Sequence, residues 1–560
     1  MSFHIAKVSD GFSVSAQLNV GDVETLAGTG VRVIFCHRPD GEANDQPNVS
    51  EIETAAQEHN IEVVYQPVIP GQISENDVNN FQQYFEQSNH RIHAFCGTGT
   101  RAITLWARYQ LGLGVLAEDI LATADDAGYD LRDALKSTSP PLTVSAPHYD
   151  IVIVGAGAAG IAVASSLMTR TQRLKIAIID NAEVHYYQPG WTLVGAGVFN
   201  QAQTVKDVAS LIPAGADWIK AAVGSFDPQN NRILLEDGKP VGYDRLVVAP
   251  GIKLDWDSIE GLPETLGHNG VTSNYRFDLA PYTWELVQSL KSGTALFTQP
   301  PMPIKCAGAP QKALYLSADH WKRSGLLNAI DIEFYNAGDV LFGVKDYVPA
   351  LMQYIDAYNA DLKFGHNLTR IDGQRKLAWF TTKNDAGQET EVEREFDMIH
   401  VCPPQCAPDF IRSSPLADDA GWIDVDQNTL RHNNWGNIWG LGDAINAPNA
   451  KTAGAARMQA PIVANNLLVD LGEVHGVAHY NGYGSCPLTV ERGKVVLAEF
   501  GYGGKLLPTL PSWILNGKKP TRLAWLLKEK ILPPVYWKGM LKGREWFVDP
   551  NDSKADARRS

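Results

Sequence analysis

The chain has 560 residues, 44% hydrophobic and 20% charged, with a formal net charge of −15. That describes a globular protein with a large core and room for about three domains. The acidic balance argues against general nucleic-acid binding, six cysteines are too few for a secreted disulfide framework, and no run reaches the ~18–20 apolar residues of a membrane-spanning helix. Met1 to Lys7 lack an apolar signal segment, so cytoplasmic synthesis is expected, with attachment to a membrane surface left open.

In the first 112 residues, strand-like runs at 31–35, 61–65 and 91–95 alternate with helix-like runs at 49–58 and 74–88. That order predicts an α/β unit with a parallel sheet. The third strand ends in Cys96-Gly97-Thr98-Gly99-Thr100-Arg101, ahead of a helix at 102–110. A thiol, a glycine-rich loop and an arginine before a helix make an anion cradle that favours the thiolate. Cysteine phosphatases place five residues between Cys and Arg; here there are four, the spacing of rhodanese-type sulfur carriers. Cys36 also ends a predicted strand and either approaches Cys96 or is a plain core cysteine.

The segment resembles the phosphatase-folded, rhodanese-like sulfurtransferases of the beta-lactamase-hydrolase-like kind, through Ser15-Ala16-Gln17, Arg38-Pro39-Asp40-Gly41-Glu42 and the Cys96–Arg101 loop. The resemblance implies a persulfide on Cys96 with Arg101 stabilising its charge. A single helix is expected over 116–135, then a linker whose clearest boundary is Ser137-Thr138-Ser139-Pro140-Pro141.

The buried-strand pattern at 148–154 runs into Gly155-Ala156-Gly157-Ala158-Ala159-Gly160 and a small-residue helix, and a second strand ends in Asp180. This is a dinucleotide fingerprint in its proper context: Gly155, Gly157 and Gly160 let backbone approach a pyrophosphate, and Asp180 accepts from a ribose. A later strand ends in Leu441-Gly442-Asp443, where two-dinucleotide flavoproteins hold the ribityl chain of FAD, with Tyr243–Gly251 as the matching middle strand and turn. After the strand at 294–298, where a nicotinamide site would need N–H groups, stands Gln299-Pro300-Pro301-Met302-Pro303, which supplies few. That loop leads to Lys305-Cys306 and into a helix through Gly308 and Pro310. A cysteine beside a helix start, near Lys305 and Lys312, favours a thiolate; the alternative is a small buried cysteine at a strand end.

Residues 147–548 resemble the mitochondrial type of sulfide:quinone oxidoreductase. The resemblance rests on His185–Gly197, Lys305–Lys312, Gly421–Asp426 and Gly482–Leu488. It implies a redox pair of Cys306 and Cys486, and FAD contacts at Ala158, Ala159, Asp180, Gln188, Val223, Leu441, Gly442, Asp443 and Lys451. Lys451 would face the flavin's pyrimidine end. Cys402 and Cys406 are alternative partners ranked behind Cys486. No histidine cluster, HExxH or CxxC suggests a metal. From Pro511 onward lysines and arginines interleave with tryptophans and leucines, the pattern of basic amphipathic helices lying on a bilayer.

The expected architecture is therefore α/β: a phosphatase-like domain (1–112), a helix and linker (113–147), and a tandem Rossmann-like two-dinucleotide flavoprotein fold. That fold has FAD-binding parts at 148–270 and 393–475, a second Rossmann-like domain at 271–392, and a C-terminal redox and amphipathic helical region at 476–560. The expected chemistry is oxidation of hydrosulfide, reduction of a membrane quinone and release of sulfane sulfur to a small thiol, to sulfite or to Cys96, at the inner face of the cytoplasmic membrane. Two other readings stay open: an NAD(P)H-dependent disulfide or persulfide reductase, disfavoured by the proline-rich loop, and a thiol-phosphatase fused to a flavin sensor, disfavoured by the Cys96–Arg101 spacing.

Overall fold

The structure, a computed structural model, describes residues 4–9, 11–43, 46–69, 73–87, 90–113, 115–136, 146–384 and 386–546. The chain divides into two compact units, Met1–Ala146 with Asp237–Pro240, and Pro147–Glu236 with Val241–Ser560. The Ser137–Pro141 boundary and the last residues of the basic tail lie outside the described residues.

The first unit holds one sheet in the order Ala6–Lys7, Phe12–Ser15, Arg91–Phe95, Val31–Cys36, Glu62–Tyr65. Every pair is parallel except the first. Parallel strands need crossovers, here the helices Val49–Glu58 and Glu75–Gln87, with Thr100–Gly112 following the central strand. Phe12, Phe35, Phe81 and Trp106 fill one core, and Leu26, Ile34 and Ile52 fill another. The helix expected over 116–135 is two, Ala117–Asp126 and Arg132–Lys136. Gly128 at φ 87° ends the first: the Tyr129 N–H reaches back to Ala124 O at 2.8 Å, which closes the helix and turns the chain.

In the second unit, His148–Val154 lies between Ile176–Ile179 and Pro240–Val248, all parallel. Ala216–Ile219 extends one side, and Arg232–Leu235 with Val223–Asp227 the other, while Ile438–Gly440 adds in parallel to Pro240–Val248. This last pairing brings residues 249–251 and 441–443, both read from the sequence as cofactor-binding, to adjacent strand ends. Helices Ala158–Arg170 and Ala453–Asp470 pack together against this sheet. A second parallel sheet runs Val271–Thr272, Met398–His400, Gly293–Gln299, Ile330–Asn336, Asp361–Phe364. Its central strand feeds the Cys306 loop and the helix Ala309–Arg323. Fully buried strands on both sheets explain their near-continuous apolar runs. The hairpin Gly484–Glu491 with Lys494–Phe500 packs on that helix.

The C-terminal region differs from a set of surface helices. From Arg522 to Lys542 it coils continuously through α, π and 3-10 turns, with Pro533 and Pro534 inside the coil, where they deny N–H donors and favour irregular turns. Its inner side is core: Ala524, Trp525, Lys528, Tyr536, Trp537, Met540 and Leu541 are buried. Trp513, Ile514, Leu523, Leu526 and Ile531 stay exposed. Among the described residues, no helix is long and apolar enough to cross a membrane.

Candidate active site

In the second unit, Cys306 and Cys486 meet with their sulfurs 3.4 Å apart. Cys486 comes from the hairpin strand Gly484–Glu491 and is buried. Cys306 comes from the loop, at φ 83°. That left-handed backbone costs a non-glycine residue about 1–3 kcal/mol and persists only where the surroundings hold it. Gly308, the N-cap of the helix Ala309–Arg323, lets the two segments close. A Cβ there would lie 2.2 Å from Leu488 Cδ2 and 2.8 Å from Cys486 Sγ.

One turn into that helix, the buried Lys312 donates to Cys306 Sγ at 3.1 Å. The hydrogen bond from the Cys486 thiol and the Lys312 ammonium, working against burial, hold the Cys306 pKa well below the ordinary thiol value. The same bond, burial and the facing Cys306 charge hold Cys486 well above it. The pair is thus split into a thiolate and a thiol. Burial opposes the Lys312 charge, but the two sulfurs outweigh it and keep Lys312 protonated.

Lys528 was not singled out by sequence. The tail places it in the same site, 3% exposed, donating to Pro189 O at 2.8 Å. Burial first, and Lys312 second, pull its pKa down to about 7. No local pattern separates it from the other tail cations. Tyr536 likewise enters from the tail: His185 Nδ1 donates to Ala156 O at 3.1 Å, which leaves Nε2 to accept from the Tyr536 hydroxyl at 2.7 Å.

The dinucleotide residues follow neighbouring strands of the second unit's first sheet: Gly155 comes after His148–Val154, Asp180 after Ile176–Ile179 and Leu441 after Ile438–Gly440. A Cβ on Gly155 would lie 2.4 Å from Ala249 O and one on Gly160 would lie 1.9 Å from Gly155 O, so both glycines serve the turn and the packing. A Cβ on Gly157 would meet nothing within 4 Å, which is the open approach a pyrophosphate needs. Ala158 and Ala159 open the helix behind it. Asp180 accepts from the Ala156 N–H at 2.6 Å and the Ala182 N–H at 2.8 Å, which fixes its carboxylate at the strand end. Leu441 donates to Val248 O, Gly442 donates to Gln459 Oε1 at 2.8 Å, and Gly442 lies against Ala159. Burial raises the Asp443 pKa, opposed by the Lys451 and Lys305 ammoniums. Lys451 is buried, bonded to Asp443 O at 2.8 Å and Ile445 O at 2.9 Å, and burial lowers its pKa to about 8. Val223 opens the edge strand and shares a core with Ala156 and Ala159.

The thiol loop reaches these residues. Lys305 bridges to Lys451 by backbone pairing, and its Nζ donates to Gln188 Oε1 at 2.8 Å. Trp191 Nε1 and Thr192 Oγ1, just beyond Gln188, are buried with no hydrogen-bond partner among the described residues. The open face at Gly157, these orphaned donors and the Asp443–Lys451 pair fit a flavin dinucleotide. Cys402 is buried near Tyr275 and Gln405, and burial pushes its thiol up to about 12. Cys406 is half-buried, with Arg412 Nη1 at 3.9 Å. Neither has a cationic partner comparable to Lys312.

In the first unit, the Gly99 N–H donates to Cys96 Sγ at 3.1 Å, and the Arg101 guanidinium is close enough for the charge on that sulfur to act on it. Cys36 is buried with its sulfur directed at Arg38 O, 3.5 Å away, and burial pushes its thiol up to about 11. Tyr129, brought in by the Gly128 break, closes over Gly99: a Cβ there would come within 2.1 Å of its hydroxyl. That neighbour was missed by sequence because the break was read as continuous helix.

Residues 4–113 match the family model described as the phosphatase-like domain of beta-lactamase hydrolase-like protein, and residues 149–292 match the pyridine nucleotide-disulphide oxidoreductase model. A mitochondrial sulfide:quinone oxidoreductase of Dictyostelium discoideum is 43% identical over 71% of this chain and 86% of its own. A beta-lactamase hydrolase-like protein of Xylella fastidiosa is 30% identical over 23% of this chain and 31% of its own. Among solved structures, the sulfide:quinone oxidoreductase of Aquifex aeolicus superposes with a TM-score of 0.60 at 20% identity, covering 71% of this chain and 92% of that one.

Proposed function

The chain belongs to the sulfide:quinone oxidoreductases, and from that premise we propose that Cys306 and Cys486 oxidise hydrosulfide to sulfane sulfur while FAD carries the electrons to a lipid-borne quinone. The single observation that carries this reading is the 3.4 Å sulfur pair with Lys312 on one member. When bound, FAD supplies two-electron transfer. Gly155, Gly157, Ala158, Ala159 and Gly160 would hold its pyrophosphate, Asp180 its ribose, and Gly442 and Asp443 its ribityl chain. Gln188, Val223, Leu441 and Lys451 would complete its surroundings.

The cycle starts from an oxidised Cys306–Cys486 bond. Hydrosulfide attacks the Cys486 sulfur. A new S–S bond forms there as the Cys306–Cys486 bond breaks, and Cys306 leaves with the electron pair. The direction follows from pKa: the better leaving thiol is the one whose thiolate is stabilised. Lys312 holds that thiolate. The Cys486 persulfide then hands its outer sulfur to a small thiol or sulfite, which leaves Cys486 as a thiolate, and the Cys306–Cys486 bond re-forms with the loss of two electrons, which a bound FAD would accept. In the first unit, Cys96 receives or transfers sulfane sulfur, with the Gly99 N–H and Arg101 stabilising its charge. The exposed tail residues Trp513, Ile514, Leu523, Leu526 and Ile531, beside Lys518, Lys519, Arg522 and Lys530, form a peripheral contact with the cytoplasmic face of the membrane.

Anaerobic titration with sulfide, followed optically, tests the core of this reading. Sulfide should bleach the yellow absorption, and a short-chain quinone should restore it. Cys306→Ala and Cys486→Ala should each abolish both changes. Bleaching by NADH in place of sulfide would favour the reductase reading instead.

A further inference from the structure

Arg101, the cation of the Cys96 loop, does not present an open guanidinium. Its Nη1 donates to Glu42 Oε1 at 2.9 Å and to Val68 O at 2.7 Å, and its Nη2 donates to Glu42 Oε2 at 2.8 Å. Arg38 Nε donates to the same Glu42 Oε2 at 2.7 Å. Both guanidiniums also lie against Gly97: a Cβ there would meet Arg101 Nη2 at 3.3 Å and Arg38 Nε at 3.6 Å. Glu42 thus accepts charge-assisted bonds from two arginines, which hold its pKa low and its carboxylate ionised. Two guanidinium charges meet one carboxylate, and one positive charge remains for the thiol and its guest. His37 and His93 add none, since burial pulls their pKa values down to about 4 and about 3. Asp40 faces elsewhere, accepting from the Val49 N–H at 2.9 Å.

A phosphate or thiosulfate dianion needs the same paired Nη donors for bidentate recognition and meets a fixed carboxylate on approach. The outer sulfur of an organic persulfide carries at most one charge and needs no fork. We propose that Glu42 is a built-in anion that selects the partner of Cys96: it admits organic persulfides and refuses thiosulfate and phosphate. This rests on reading Cys96 as a sulfane-sulfur carrier. In the admitted step, the Cys96 thiolate attacks the outer sulfur of R–S–SH. The Sγ–S bond forms, the inner S–S bond breaks, and RS⁻ leaves with the electron pair. The proton stays on the transferred sulfur, its oxidation level does not change, and no oxidant or reductant is consumed.

The test uses the full chain as wild type, Glu42→Gln and Glu42→Asp, the last keeping the charge. The rate of Cys96 alkylation by iodoacetamide is read from the Cys96 peptide by mass spectrometry, with inorganic phosphate or thiosulfate added. In wild type and Glu42→Asp, millimolar phosphate should leave the rate unchanged. In Glu42→Gln the protecting concentration should fall by at least about tenfold, the scale of one lost charge repulsion near a site. Thiosulfate should then load sulfur onto Cys96 in Glu42→Gln only, while glutathione persulfide loads it in all three. Equal phosphate protection in wild type and Glu42→Gln overturns the proposal. Should Glu42→Gln not fold, strong phosphate protection of wild type alone does the same. A Cys96 that no donor loads in any form overturns the sulfur-carrier reading instead, and the phosphate comparison still decides on Glu42.

Discussion

The Lys312 ammonium lies 3.1 Å from Cys306 Sγ, so its removal reports how the thiolate is held. Because the Cys306 pKa is lowered, its thiolate persists to lower pH than that of an ordinary cysteine and is lost as pH falls through that lowered value. In Lys312→Met the loss should begin at higher pH, with the midpoint of Cys306 alkylation rising by at least about one pH unit, near 1.4 kcal/mol of charge stabilisation. An unshifted profile would assign the low pKa to the Cys486 bond and Lys528 without Lys312. Gly308 makes a steric test of the same pair. Gly308→Ala forces its new methyl into Leu488 and Cys486, and a displacement near 1 Å at a reacting atom costs about 10²-fold in rate. Sulfide-dependent quinone reduction should fall by that order while bound flavin, read from the visible spectrum, is retained. A fully active alanine variant would mean that the sulfurs need no such closeness.

The C-terminal coil has a buried side and an exposed side, and their separation changes what truncation means. Its exposed Leu523 and Leu526 stand away from the buried Trp525 and Lys528. Leu523→Glu with Leu526→Glu should weaken co-sedimentation with anionic liposomes several-fold and leave turnover with a short-chain quinone intact. Removal of the tail from residue 511, by contrast, strips Lys528 and Tyr536 from the site and takes the buried Trp537 and Leu541 out of the core, each worth roughly 1.5–3 kcal/mol of burial. Deletion should therefore impair the sulfur chemistry as well as membrane binding, and a double glutamate variant that still sediments would place the membrane contact elsewhere. The tail was only half legible in the sequence for a physical reason: basic and aromatic residues alternate identically whether the aromatic side meets lipid or protein. Local signals fared better. The strand, Gly155–Gly160 turn and helix are contiguous, so chain order states their contacts, and Cys306 announces itself through Gly308 and Pro310. Cys486 lies 180 residues from Cys306, and only a resemblance paired them. Glu42 and Tyr129 acquire meaning from folds of the chain that no spacing records.

If Cys486 and Cys96 both handle sulfur, their linkage on one polypeptide raises the effective concentration of each for the other. On the proposed reading, the second unit generates sulfane sulfur and the first unit is one of its outlets, in parallel with free acceptors. Parallel outlets predict a particular insensitivity. With saturating sulfite present, Cys96→Ser should leave sulfide:quinone turnover unchanged, because sulfite clears the Cys486 persulfide by itself. Isotopically labelled sulfide should then mark the Cys96 peptide in wild type and leave the first unit of Cys96→Ser unlabelled. If sulfur passes along the chain, labelling of Cys96 per molecule should not depend on protein concentration and should persist without added thiol. Labelling that requires glutathione would instead route the sulfur through a diffusible carrier. If Cys96→Ser lowered quinone reduction as far as Cys306→Ala does, with sulfite in excess, Cys96 would belong to the redox cycle itself, and the division into a generator and an outlet would be wrong.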